Sequence, residues 1–311
     1  MLESFGDYLK KRRKEAGLTQ DRLAVALSCY SPVLSGIDSV TISRWERATT
    51  EPTCDRQREV IAYFHDDVEK IYPFRSGRAS RVTSDQAVEY LVRHYLVSPK
   101  LGQKVGTFPE KEGGHYQIER FNDSPNHQNC LDMIIEYDQS LSASAVPVSH
   151  ERLGGWIRHS NRLALLCMKH GQYFGHLIAL PLKDEVFWQL VHARREEASL
   201  SLDDIAAPGE SHSLYIFSLY GASRLAAGRL IMEVMTYISR HFDHINYVGG
   251  LCATSDGARL ARAFHLEPVE VGPISPKGQV RYQGREVKFV TYANQLAHIL
   301  EDAGLRKLLP V

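Results

Sequence analysis

The chain has 311 residues, 43% of them hydrophobic and 24% charged, with 37 Lys and Arg against 37 Asp and Glu. That length exceeds a usual single domain, and the composition excludes a disordered or fibrous chain. A net charge of zero excludes an indiscriminate, histone-like binder of nucleic acid and leaves a local basic face as the electrostatic route to phosphates. The five cysteines, Cys29, Cys54, Cys130, Cys167 and Cys252, form no CxxC pair and cannot all pair within one chain, which fits a reducing compartment. No apolar stretch backs the basic run Lys10 to Lys14 as a secretion signal would require, and none is long enough to span a bilayer. A cytoplasmic protein with no membrane partner is expected.

In chain order, Leu2, Phe5, Leu9 and Arg13 share one face of a first helix that Gly17 ends. Thr19 caps a second helix with Leu23, Ala24 and Leu27 as its apolar stripe. Asp38 or Ser39 caps a third, in which Val40, Ile42 and Trp45 are packing candidates and Ser43, Arg44 and Arg47 point outward. A fourth runs from about Asp55 to Phe64. Residues 10 to 47 carry eight basic groups against four acidic ones, whereas residues 48 to 75 are acidic by two.

The linked segments Gly17-Leu18-Thr19-Gln20, Leu23-Ala24, Thr41-Ile42-Ser43-Arg44-Trp45-Glu46-Arg47 and Pro52 resemble the phage-repressor (Cro/Xre) helix-turn-helix family over about the first fifth of the chain. The resemblance implies a double-stranded DNA operator as partner, read by a homodimer whose third helix enters the major groove. It places Gln20 against the DNA backbone and Ser39, Thr41, Ser43 and Arg44 toward bases or phosphates. Arg44 is the foremost candidate for base readout, because its fork matches guanine O6 and N7. Lys11 and Arg12 become phosphate candidates. Residues 29 to 37 replace a turn of only a few residues, either as a surface insertion or as an extra DNA or dimer contact.

A linker and irregular segment with one short helix, about Asp85 to Leu96, is expected over 76–130, between a first domain of residues 1–75 and a second of 131–311. His115, His127 and Cys130 match no zinc spacing, so no metal site is expected. From residue 131 strands and helices alternate: strands at Leu131 to Tyr137, Arg162 to Met168, Tyr173 to Leu180, Ser213 to Leu219 and His244 to Cys252, and near Val269 and Glu286 to Thr291. Helices are expected at Glu185 to Ala198, Leu225 to His241 and Asp256 to His265. The fold class is therefore multidomain, an all-α helix-turn-helix part followed by an α/β part with a mixed sheet.

The strand Ser213 to Tyr220, leading through Gly221 into a long helix, resembles the GNAT acetyltransferase superfamily. In that family the turn and helix N-terminus hold the pyrophosphate of an acyl-coenzyme A. The resemblance makes Tyr220, Arg224, Ala226, Ala227, Gly228 and Arg229 the cofactor-binding candidates and acyl-CoA the candidate ligand. Two departures stand out. No register of residues 221 to 229 reproduces the family's full pyrophosphate pattern, and Ala261 and His265 occupy positions where a tyrosine and a glycine are usual.

No catalytic residue is assigned, although Tyr220, Glu185 and His176 could move protons. The favoured function is a sequence-specific transcriptional regulator whose acyltransferase-like domain senses a ligand, dimerizes, or both. The alternative is an active acyl-CoA-dependent N-acyltransferase tethered to DNA.

Overall fold

The computed structural model describes residues 4–66, 74, 84–96, 116–125, 127–141, 148–159, 163–276 and 280–309. The chain divides into two compact units, Met1–Val82 with Leu300–Val311, and Thr83–Ile299. The expected domains were residues 1–75 and 131–311, whereas this division begins the second unit at Thr83 and places Leu300–Val311 with the first. Most of the expected linker, with His115, lies outside the described residues.

Unit 1 is helical. Helices α1 (Phe5–Glu15), α2 (Gln20–Tyr30), α3 (Ser39–Glu46) and α4 (Cys54–Tyr63) bury Phe5, Leu9, Leu23, Leu27, Ile42, Trp45, Val60 and Ile61 in one core. Three helix starts are capped as their sequences require: Ser4 on α1, Thr19 on α2 and Asp38 on α3 each accept the amide three residues on. The enlarged connection between α2 and α3 is built into the core. Pro32–Leu34 forms a 3-10 turn, Leu34 is buried, and the Ser28 hydroxyl donates to the carbonyls of Leu34 and Ile37.

The C-terminal segment closes this unit. Leu305, Leu308 and Leu309 are buried, Arg306 donates to the buried Gln57, and the Cys54 thiol donates to the Glu301 carbonyl at 3.3 Å. Among the polar ties, one network joins three helices. Arg13 of α1 forms a two-pronged ion pair with Glu46 of α3, and Gln20 of α2 donates to the same carboxylate at 2.8 Å.

Unit 2 is an α/β fold around a seven-stranded mixed sheet. Its strands are β1 (Gln117–Arg120), β2 (Ala164–Lys169), β3 (Gln172–Leu182), β4 (His212–Gly221), β5 (Ile245–Cys252), β6 (Glu267–Val271) and β9 (Val290–Gln295), with β7 (Val280–Tyr282) and β8 (Arg285–Val287) forming a separate hairpin. The order is β1-β2-β3-β4-β5-β9-β6, and among the described residues only the β4/β5 pair is parallel. A parallel pair needs a crossover, and the long helix that follows β4 supplies it.

The helices of this unit are α5 (Ser84–His94), α6 (His127–Leu141), α7 (His150–His159), α8 (Asp184–Val191), α9 (Arg224–His241), α10 (Ser255–Ala263) and α11 (Leu296–Ile299). Leu131, Ile134, Trp156 and Phe187 of α6 to α8 share one core with Ile178, Leu180 and Tyr215 of the sheet. Helix α9 packs on β2, β3 and β4 and carries α5.

Two expectations are corrected here. Leu131 to Tyr137 lies within α6 rather than forming a strand, because Leu131, Ile134 and Ile135 follow a helical period once the segment is read from His127. The helix expected over Glu185 to Ala198 stops at Val191, where Ala193 adopts φ 51°. Six elements of the expected alternation are present with slightly different ends: β2, β3, β4, α9, β5 and α10. The strand expected over Glu286 to Thr291 is instead divided between β8 and β9.

Burial alone would raise the Glu46 carboxyl, but the hydrogen bonds from Arg13 and Gln20 outweigh it and hold the group below the ordinary carboxylate range. Its contribution to stability is therefore present above a pH of about 4.3 and is lost as pH falls through the lower folded value. Glu46→Gln is expected to cost unit 1 about 3 kcal/mol near neutral pH, since it leaves Arg13 without its counter-charge. In thermal melts the gap to wild type should narrow progressively as pH falls below the unfolded value of about 4.3; an equal gap at acid and neutral pH would show that the charge is not what matters.

Candidate functional sites

The first candidate is the outward face of α3. Ile42 and Trp45 point into the core, so helical geometry turns Val40, Ser43, Arg44 and Arg47 the other way. Val40 is 52% exposed, Arg44 and Arg47 are exposed, and Ser39 and Ser43 are half-buried. Arg47 Nε donates to the Ser43 carbonyl at 3.1 Å, which lays its guanidinium along the helix end. The Asp38 carboxyl sits below its usual range because the hydroxyl and amide of Thr41 both donate to it.

Three of the residues expected to contact DNA are therefore engaged elsewhere. The Thr41 hydroxyl is committed to the cap of its own helix, and the Gln20 amide to Glu46. Arg12 pairs with Asp66 and Glu15, and Asp66 also accepts from the Tyr8 hydroxyl at 2.7 Å. In each case a nearby carboxylate captures the donor. Lys11 remains exposed, as do Arg44 and the large apolar side chain of Val40. Sequence reasoning placed Val40 among packing residues; its three-residue offset from Ser43 and seven-residue offset from Arg47 was the available signal for the opposite face.

The second candidate lies where β4 and β5 part. Their last parallel pair is Ile216 with Gly250, after which β4 continues to Gly221 against β3 alone. A bulge marks the same place: Ile178 faces Ser218 while Ala179 faces Ile216, so Phe217 is an extra residue on β4. Gly250 has no side chain to interfere at this approach; a Cβ there would stand 2.5 Å from the Ile216 carbonyl oxygen. Ligands of open α/β sheets bind outside the carboxyl ends of the strands at such switch points.

Helix α9 begins at this opening. Ser223 caps it by accepting the Ala226 amide at 3.1 Å, and its hydroxyl is also hydrogen-bonded to Tyr116 at 3.0 Å. The amides of Arg224 and Leu225 are among the first helical N–H groups, which have no carbonyl within the helix to bond. Both residues are exposed. The other expected cofactor residues divide. Ala226 and Ala227 are buried, and their small size permits the turn to fold back on Gly221. Gly228 and Arg229 face α5 instead: a Cβ on Gly228 would meet Val92 and Val88, and Arg229 pairs with Asp85. The physical reason is rotation along the helix, which carries the fifth and sixth residues away from its N-terminal mouth.

Tyr220 is half-buried and lies across from His176 of β3. His176 is completely enclosed, with Nε2 at 2.7 Å from the Ser218 hydroxyl and Nδ1 bonded to the Tyr173 hydroxyl. Burial pushes its pKa down to about 3, so the ring is neutral at physiological pH. Glu185 is exposed at the start of α8 and takes no part in this cluster. At the far end of α10, Ala261 is buried and His265 adopts φ 58°, a left-handed conformation that explains why glycine would suit that position. Among the described residues, no group of three or more His, Cys, Asp or Glu side chains could hold a metal ion, and no helix is long and apolar enough to cross a membrane.

A Cβ at Gly221 would stand 2.7 Å from the Ala227 amide nitrogen and 2.8 Å from the Ala227 side chain. Gly221→Ala is thus expected to destabilise unit 2 by about 1–3 kcal/mol through overpacking of the β4–α9 turn. Chemical denaturation of the full chain checks this; an unchanged midpoint would show that the turn is loose enough to yield.

No family model matches the sequence, and no curated protein matches it at a significant level. Solved structures do match. A polyamine N-acetyltransferase of Drosophila melanogaster is 14% identical, covering 58% of this chain and 100% of that one with a TM-score of 0.39. An N-acyl amino acid synthase from uncultured soil microbes is 10% identical over 64% of this chain and 100% of its own, with a TM-score of 0.41. A ribosomal-protein-alanine N-acetyltransferase from Brucella melitensis is 15% identical over 58% of this chain and 99% of its own, with a TM-score of 0.34. The strand order, the parallel β4/β5 pair and the helix after each of its strands give unit 2 the mixed-sheet α/β architecture expected from its sequence.

Proposed function

We propose that this chain is a sequence-specific DNA-binding transcriptional regulator, acting as a homodimer in the cytoplasm, whose acetyltransferase-like unit receives an acyl-CoA-type ligand as its signal. The observation that carries the reading is the outward row on α3, where an apolar side chain and two arginines stand together on a helix braced by Glu46. Val40 suits a thymine methyl and Arg44 a guanine edge, while Lys11 supplies charge for phosphates. Two such helices, one from each subunit, would read half-sites about one helical turn apart. For unit 2, the support is the parting of β4 from β5 beside the exposed first turn of α9, which offers two backbone amides to an anionic group.

Selection of binding sequences from random duplexes, followed by anisotropy titration, tests the DNA reading. Arg44→Ala is expected to cost about 1–3 kcal/mol on the selected site and to relax preference at one base pair. Lys11→Ala should weaken all duplexes alike and flatten the salt dependence. Failure to enrich any sequence would refute operator recognition, and equal losses from Arg44→Ala on every duplex would make that residue a phosphate contact. Calorimetric titration with acetyl-CoA tests the ligand reading, which fails if no heat of binding is seen.

A further inference from the structure

We propose that residues 300–309 are a latch that makes the order of unit 1 conditional on the folding of unit 2, so that a ligand steadying unit 2 also steadies helix α3. The regulatory meaning rests on the readings of unit 1 as an operator reader and of unit 2 as a ligand receiver. Unit 2 is an insertion: the chain leaves unit 1 after Val82 and re-enters it at Leu300. Both ends of the α/β unit are therefore tied covalently to the helical one. The return is abrupt, since only Leu300, Glu301 and Asp302 separate α11 of unit 2 from helix α12 (Ala303–Lys307) of unit 1. At its origin the connection is anchored, with Leu296 and Ile299 of α11 buried and α11 packed on β5 and β9.

The latch holds α4 by its first two turns. The Cys54 thiol donates to the Glu301 carbonyl, and the Glu301 carboxylate pairs with Arg58. Arg306 donates to the Cys54 sulfur and to the side-chain oxygen of Gln57, each at 3.3 Å. Gln57 is fully enclosed. Undocking would take the Arg306 donor from that buried oxygen and uncover Leu305, Leu308 and Leu309, both of which cost free energy. Val60 and Ile61 of α4 share their core with Ile42 and Trp45 of α3, so disorder in α4 loosens the seat of α3. The latch cannot supply its own order, because α12 has five residues and a helix that short does not persist alone in water. Its docking depends on being kept near α4. A folded unit 2 holds its two ends at one fixed separation, whereas an unfolded one leaves the latch at the end of a long flexible loop whose closure costs entropy.

Pulsed hydrogen–deuterium exchange of the full chain in increasing urea, read by mass spectrometry, tests this by following peptides of α3 and α4 beside peptides of β3 and β4. The two groups are expected to open at one midpoint in wild type. Gly221→Ala and Leu180→Ala, the second leaving a cavity in the sheet core, should lower both midpoints together by about 0.5 M. A variant whose unit 2 is open before urea is added should show α4 open as well. Arg306→Ala should instead lower the α3 and α4 midpoint alone. A flexible Gly-Ser insert after Ile299 should shrink the shift that Leu180→Ala imposes on α4. Saturating acetyl-CoA should raise both midpoints. The latch is overturned if the unit 2 variants move β3 but not α4, or if α4 opens before β3 in wild type. It is also overturned if the insert leaves the shift on α4 unchanged. Absence of acetyl-CoA binding by calorimetry, or failure to select any operator, overturns the reading of that unit alone, because the variants decide the latch without either ligand.

Discussion

Strand β4 has two neighbours along its first half and one along its second, and the α/β unit is organised by that change. Up to Ile216 it is an interior strand with β3 on one side and β5 on the other. Beyond the bulge at Phe217, only β3 holds it. Interior strands must satisfy their backbone groups on both edges, so a strand that loses one partner exposes donors and acceptors that a ligand can use. The strand then turns at Gly221 into α9, whose open first turn is delivered to the same place. The opening, the helix mouth and the Ser218–His176 contact are thus consequences of one local parting.

The helical unit depends on a different device. Glu46 draws Arg13 and Gln20 to itself from two other helices, and this fixes the orientation of α3 more tightly than its eight residues could alone. Short helices owe their stability to packing rather than to propensity. The same economy of charge explains why Arg12 and Arg13 are less exposed than Lys10, Lys11 and Lys14 of the same run. Arg12 and Arg13 are consumed by Asp66 and Glu46, so the local excess of positive charge is smaller in space than along the chain.

Much of the architecture was legible because it is written in short-range patterns. A capping residue at Thr19, one at Asp38 or Ser39, and the apolar spacing of Phe5, Leu9, Leu23 and Leu27 place the first helices within a residue or two. The segment around Leu131 misled, because four apolar residues in seven suit a buried strand or a helix equally until their longer context is read. The exposed positions of Arg44 and Lys11 could be read from periodicity. Thr41, Gln20, Arg12 and Arg229 could not, since each is claimed by a carboxylate whose proximity depends on the folded arrangement. The enclosure of His176 between Ser218 and Tyr173 was not legible in the sequence.

By itself, the sequence determined the helical and α/β halves, the Thr19 cap, the turn at Gly221 and the outward position of Arg44, because each follows from the conformational preferences of a few adjacent residues. Tertiary structure alone decided where β4 leaves β5, which arginines are free, that residues 300–309 complete the first unit, and that a serine, a histidine and a tyrosine share one hydrogen-bonded line. Strand pairing, ion-pair competition and burial join residues remote along the chain, and no local period records which of several available partners wins.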